Sequence, residues 1–284
     1  MSTALDTVRT VADLRARVKY WHDQGLRVAL VPTMGALHQG HLSLVARGLE
    51  LADRVVTSVF VNPTQFGPNE DFSRYPRQEE QDSALLDSAG CHLLYAPDVA
   101  EMYPEGFVTT ITVGGVSEGL CGPVRPGHFA GVATVVTKLL LQSQADVALF
   151  GEKDYQQLAV IRRFARDLDI PVEIAGVPTL READGLALSS RNAYLSEDER
   201  RVAPWLLRAL TGVADGLRAG AKASDLCPMA ADGLLKAGFA AVDYVEVRDA
   251  ETLAPAEILD RPLRVLAAAR LGKTRLIDNI AADA

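Results

Sequence analysis

Arg27-Val28-Ala29-Leu30-Val31-Pro32-Thr33-Met34-Gly35-Ala36-Leu37-His38-Gln39-Gly40-His41 is the stretch on which the fold turns. Its first six residues form an apolar run of strand length and its middle is a glycine-bearing loop. Beyond it Leu42, Val45 and Leu49 mark one side of a helix. Strand, loop and helix in that order are half of a βαβ unit, and the alternation recurs. Further strands are expected over residues 55–61, 91–96, 108–113, 145–150 and 170–177, and helices over 77–89, 128–142 and 154–168. Upstream, Val8, Val11, Leu14, Val18 and Trp21 recur at helical spacing and end at Gln24-Gly25. Strands alternating with helices imply an α/β fold with a mostly parallel sheet.

The character changes after Thr179. A polar stretch over 181–184 precedes a loop and then Ser196-Glu197-Asp198-Glu199, a capping box that opens a long helix. A second helix over 223–236 and strands over 242–247 and 263–268 make a smaller α+β unit. The expected organisation is an α/β domain over residues 1–180 and an α+β domain over 181–284, in keeping with about 150 residues per domain. Gly272-Lys273-Thr274 resembles the end of a P-loop, but Ala267 stands where that motif needs its earlier glycine, and the segment reads as a turn.

Composition narrows the function classes. Apolar residues make up 48% and charged residues 23% of the 284, which excludes disordered and fibrous chains. A net charge of −8 lacks the broad basic field that nucleic acid or an anionic membrane requires, so neither partner is expected and an anionic ligand needs a local site. Acidic and basic residues punctuate the first thirty positions, so neither a membrane span nor a signal peptide is read. Cys91, Cys121 and Cys227 are odd in number and widely spaced, which points to a reducing cytoplasm rather than a disulfide framework or zinc ribbon.

In an open parallel sheet ligands bind at the carboxyl ends of strands, so the loop after the first main strand comes first. Gly35 allows close backbone approach, and Gly40 leaves space above helix-start amides that suit a phosphate. His38 and His41, three residues apart, can face the same space. A zinc reading lacks both an H-E-x-x-H pattern and a nearby cysteine, and no residue is assigned as a metal ligand. A second loop, Gly151-Glu152-Lys153-Asp154, offers the mobile cation Lys153 at a strand end, or a plain helix start capped by Asp154. A third, Leu188-Ser189-Ser190-Arg191-Asn192, offers two hydroxyls and a guanidinium as a phosphate clamp, or an ordinary polar hinge. There is no G-x-G-x-x-G after a strand and no G-x-S-x-G, so signatures of hydride transfer and serine hydrolysis are missing.

These residues carry a resemblance. H-x-G-H at His38–His41 marks the nucleotidylyltransferase superfamily, and Leu188-Ser189-Ser190-Arg191 is similar to its KMSKS-like element. Pro32-Thr33-Met34-Gly35, Phe60-Val61-Asn62-Pro63-Thr64-Gln65-Phe66, Arg125-Pro126-Gly127-His128-Phe129 and Phe150-Gly151-Glu152-Lys153-Asp154, in this order, resemble the pantoate–β-alanine ligase family from about residue 5 to 280. The resemblance implies a Rossmann-like amino-terminal domain with a smaller, mobile carboxy-terminal domain, and a cytoplasmic homodimer. It implies Mg²⁺ with ATP as co-substrate, adenylation of (R)-pantoate, and displacement of AMP by β-alanine. ATP would be held by Met34, Gly35, Ala36, Leu37, His38, Gln39, Gly40 and His41, by Gly151, Glu152, Lys153 and Asp154, by the backbone of Leu180, and by Leu188, Ser189, Ser190 and Arg191. Gln65 and Gln157 would hold pantoate. Of these, His38, His41, Lys153, Ser189, Ser190 and Arg191 would serve the adenylation step, His41 matching the family's proton donor. Leu188 and Thr64 stand where the family usually has Met, and Gln39 where Asp or Glu is frequent.

Overall fold

The computed structural model describes residues 5–68, 70 and 72–283. Six strands, β1 (Thr7–Val8), β2 (Val28–Thr33), β3 (Arg54–Val59), β4 (Leu93–Tyr95), β5 (Val147–Gly151) and β6 (Glu173–Val177), form one sheet in the order β1-β4-β3-β2-β5-β6. The pairings are parallel throughout. Val28, Ala29, Leu30 and Val31 of β2 are all fully buried, the continuous apolar run of a strand covered on both faces. From β2 the order runs to β3 and β4 on one side and to β5 and β6 on the other, so the loops after β2 and β5 open at the point where the winding reverses. The helix Gln39–Leu51 buries Leu44, Val45 and Gly48, whereas His128–Ser143 is buried along most of its length.

Three longer strands, β7 (Ala241–Asp249), β8 (Leu263–Leu271) and β9 (Thr274–Ala282), form an antiparallel sheet of their own. Leu271 pairs with Thr274 across a two-residue turn, Gly272-Lys273. The helices Trp205–Arg218 and Ala223–Ala237 contribute Leu206, Leu210, Val213, Leu217 and Leu234 to a core shared with Val247, Leu263, Val265 and Leu276.

The chain divides into two compact units. The first takes residues up to Val113, Arg125–Glu152 and Val160–Pro178, and the second takes Gly114–Val124, Lys153–Ala159 and Thr179–Ala284. This division differs from a single cut near residue 180 in two short segments, 114–124 and 153–159. The buried Gln156 accepts from the Cys121 N–H and donates to the carbonyls of Val116 and Gly119, tying the two segments together, and the Tyr155 hydroxyl donates to the Ala250 carbonyl of the second unit.

Other expectations are also corrected. Residues 108–113 form no strand; Val108 is 91% exposed, and the Ile111 N–H goes to the Thr134 hydroxyl at 2.9 Å instead of a ladder partner. The helix after Ser196 is two helices, Glu197–Val202 and Trp205–Arg218, because Pro204 lacks the N–H a continuous helix needs. The first helix starts at Val11 behind the Thr10 cap, and Val8 belongs to the two-residue strand β1. β9 follows the expected turn but was not anticipated.

Candidate active site

The sheet delivers Thr33 at its carboxyl edge, and the chain then turns through Gly35 (φ 80°) and Ala36 (φ 53°) before the helix begins. A side chain on Gly35 would meet the Asp82 carboxylate at 2.9 Å, so close approach as well as the left-handed backbone requires glycine there. Asp82, buried on the helix Glu79–Ser88, accepts from the N–H groups of Ala36 at 3.0 Å and Leu37 at 2.8 Å. One carboxylate from another element therefore holds the back of the loop. The loop has no acid of its own, and nothing local in the sequence signals this support.

His38 caps the helix Gln39–Leu51. Its Nδ1 accepts from the Gly40 N–H at 3.1 Å, and the Nδ1 of His41 accepts from the His38 N–H at 3.3 Å. The two imidazoles thus make a reciprocal capping box, with ring centroids 4.1 Å apart. With each Nδ1 accepting, the proton of each neutral ring sits on Nε2. Two N–H donors therefore stand at the positive end of a helix, at the switch point of the sheet. Gly151 and Glu152 lie at the end of the neighbouring strand β5.

Gln65 lies in the turn Pro63–Gln65 and is buried. Its Oε1 accepts from Asn62 Nδ2 at 3.0 Å, and its Nε2 points at Met34 Sδ, 3.1 Å away. A thioether is a weak acceptor, so an oxygen of a ligand would be a better partner for this amide. Asn62 is fixed in turn: its Oδ1 accepts from the hydroxyls of Tyr103 and Thr64 at 2.8 and 2.9 Å, and its Nδ2 also donates to the Gly131 carbonyl. Thr64 so joins the polar network directly. Asn62 belongs to the site although sequence reading assigned it no role; its place between Phe60 and Gln65 in a quoted motif was the available signal. Behind Gln65, His128 Nδ1 lies 2.9 Å from the Gln65 carbonyl, and Arg125 spans His128 and Glu70. Burial acts to raise the Glu70 pKa, but the hydrogen bonds and charge of Arg125 outweigh it and bring the carboxyl down to about 2.

The second unit carries the other expected residues. Lys153 sits in a single turn, Glu152–Asp154, that leads into the helix Tyr155–Asp167; its Nζ is 3.7 Å from Asp154, and its carbonyl accepts from Asn279 Nδ2 at 2.9 Å. Gln157 is half-buried in the first turn of that helix. The Ser189 hydroxyl caps the turn Ser190–Tyr194 by accepting from the Arg191 N–H at 3.3 Å. Leu188 donates its N–H to the Leu180 carbonyl at 2.9 Å, and Arg181 next to it forks onto Asp278 at 2.7 and 2.9 Å. Lys153 and the Leu180–Arg191 loop therefore share a support, adjacent residues of β9. Among the described residues no group of three or more His, Cys, Asp or Glu is placed to hold a metal ion, and no helix is long and apolar enough to cross a membrane.

The parallel sheet thus opens its switch-point loop onto the helix start at His38–His41, the place where an α/β fold binds its ligand. The family model described as pantoate-beta-alanine ligase matches residues 6–281. A pantothenate synthetase of Paramagnetospirillum magneticum is 81% identical over the whole of both chains, and one of Rhodospirillum rubrum is 60% identical over 98% of this chain and 99% of its own. The solved pantothenate synthetase of Thermus thermophilus superposes with a TM-score of 0.91 at 49% identity, covering 99% of this chain and 100% of its own. The pantoate-beta-alanine ligase of Francisella tularensis, solved in complex with beta-gamma ATP and beta-alanine, superposes with a TM-score of 0.82 at 32% identity over 98% and 97% of the two chains. The chain belongs to the pantoate–β-alanine ligase family.

Proposed function

We propose that this ligase condenses (R)-pantoate with β-alanine in two steps, forming an enzyme-bound pantoyl adenylate and pyrophosphate from ATP, then letting β-alanine displace AMP to give pantothenate. The observation that carries the reading is the pair of Nε2–H imidazoles at the helix N-terminus, with the Gln65 amide tied to the same loop through Met34. As the pantoate carboxylate attacks the α-phosphorus, charge grows on the nonbridging oxygens and on the departing pyrophosphate. Donors already aimed there lower the barrier without reorganising.

In this reading Met34–His41 and Gly151–Asp154 cradle the nucleotide, with the Leu180 backbone and Leu188 adding contacts. His38, His41, Lys153, Ser189, Ser190 and Arg191 meet phosphate charge. Mg²⁺ arrives on the triphosphate as part of the substrate. Gln65 and Gln157 bind pantoate through neutral amides, which orient the carboxylate without holding it back from phosphorus. Water has to be kept from the acyl adenylate, which hydrolyses readily. A cytoplasmic homodimer accompanies the reading, and light scattering of the purified protein tests the dimer.

The direct test is AMP formation with each substrate omitted in turn. Sustained AMP release should need ATP, pantoate and β-alanine together. Release at an equal rate without β-alanine would identify an adenylyltransferase that passes AMP to another acceptor, and the ligase reading would fall.

A further inference from the structure

We propose that Glu70, Arg125 and His128 form a positioning relay that sets Gln65 for pantoate. The inference rests on the reading of Gln65 as a pantoate ligand. Arg125 places Nε and Nη2 on the two oxygens of Glu70, both at 2.7 Å, and turns Nη1 to His128 Nε2 at 2.9 Å. A guanidinium can only donate, so His128 Nε2 accepts. The imidazole proton is then on Nδ1, which donates to the Gln65 carbonyl at 2.9 Å. The opposite tautomer would set two donors face to face at one end and two acceptors at the other. The hydrogen bonds thus run one way, from Arg125 through His128 to the Gln65 carbonyl, and the half-buried Glu70 anchors the guanidinium from its other side.

Each guanidinium nitrogen of Arg125 has a partner inside the protein, which gives this cation a place in the scaffold. Close packing completes the arrangement. One turn beyond His128, a side chain on Gly131 would lie 2.4 Å from the Thr64 carbonyl oxygen and 2.7 Å from the Gln65 nitrogen, so glycine lets this helix press against the Pro63–Gln65 turn. Gln65 is thereby held at its carbonyl by His128, at its Oε1 by Asn62 and along its backbone by Gly131. Its Nε2 remains directed at Met34, toward the H-x-G-H loop.

Steady-state kinetics of the full-length enzyme, with KM for pantoate and for ATP measured separately, test the relay. Gln65→Leu and His128→Leu should each raise the pantoate KM about tenfold or more while the ATP KM changes less than about twofold. His128→Asn places an amide N–H where Nδ1 stands and should bring the pantoate KM back to within about threefold of the parent. Glu70→Gln removes the charge and one of the two acceptor oxygens that anchor Arg125, and should raise the pantoate KM alone by about threefold. A parent-like pantoate KM in His128→Leu beside an impaired Gln65→Leu would overturn the relay and leave Gln65 in place. An unchanged pantoate KM in Gln65→Leu would remove Gln65 itself from the pantoate site. Equal losses for both substrates, or an Asn variant as impaired as the Leu variant, would reduce His128 to a structural residue; should His128→Leu not fold, Glu70→Gln and His128→Asn decide alone.

Discussion

The H-x-G-H loop of the first unit and the Ser-Ser-Arg loop of the second are held in opposite ways. The first is fixed from behind by the buried hydrogen bonds of Asp82, 1% exposed, to two loop amides, and at its helix start by two half-buried imidazoles. The second leans on arginine ion pairs, Arg200 with Glu182 and Asp184 at 2.6 and 2.5 Å and Arg181 with Asp278, and the Arg200 pairs are about one-third exposed or more. Buried donors and acceptors have no water to turn to, so their geometry is rigid and costly to disturb. Exposed ion pairs are screened and contribute little each. The contrast rests the first loop on buried Asp82 and the second on the Arg181 fork to buried Asp278 together with solvated Arg200 pairs, and it is the solvated pairs that leave part of the second loop adjustable.

Four experiments, one of them on a pair of variants, break or sharpen that contrast. Asp82→Ala strands two buried N–H groups at about 1–3 kcal/mol each, so urea unfolding should show a loss of about 2–5 kcal/mol and the enzyme should lose most of its activity. His41→Ala and Lys153→Ala test the two donors that the proposed reading assigns to phosphate charge; each should cost about 3 kcal/mol of transition-state stabilisation, about a hundredfold in kcat/KM for AMP formation, with the folded state intact by circular dichroism.

The third change is acid. Folding lowers the Glu70 pKa from 4.5 to about 2, so its pairing with Arg125 stabilises the protein fully above pH 4.5 and is lost as pH falls toward 2. The parent should lose about 2–3 kcal/mol across that window, and Glu70→Gln should lack this step in a urea series run from pH 5 to pH 2.5. Arg200→Gln is the smallest. Arg200 holds the Asp184 carboxyl below its ordinary range, but both groups are solvated, so thermal unfolding should shift by no more than about 1 kcal/mol and the shift should shrink in high salt.

Much of the first unit was legible in the sequence because its information is local. Apolar runs of strand length alternate with helical stripes, and the His38–His41 spacing places both rings at one helix start. What escaped is non-local or too short. Thr7–Val8 makes a strand of two residues only by pairing with β4, a partner far along the chain. Residues 108–113 have strand-like composition but no ladder, and composition cannot report the missing neighbour. β9 alternates buried and half-buried positions over its first four residues, yet its continuation after the Gly272-Lys273 turn depends on register with β8. Asp82 is the plainest case: its role is created by a contact 45 residues away, and its own helix gives no sign of it. The two segments claimed by the second unit depend in the same way on Gln156, whose neighbour Gln157 was the residue sequence reasoning picked out.

The central claim, that adenylation of pantoate is a separate first step supported by the paired histidines, is tested most directly by exchange of labelled pyrophosphate into ATP. The account predicts exchange that requires pantoate, proceeds without β-alanine, and falls about a hundredfold in His41→Ala. Exchange that appears only when β-alanine is added, or that persists at the parent rate in His41→Ala, would contradict it.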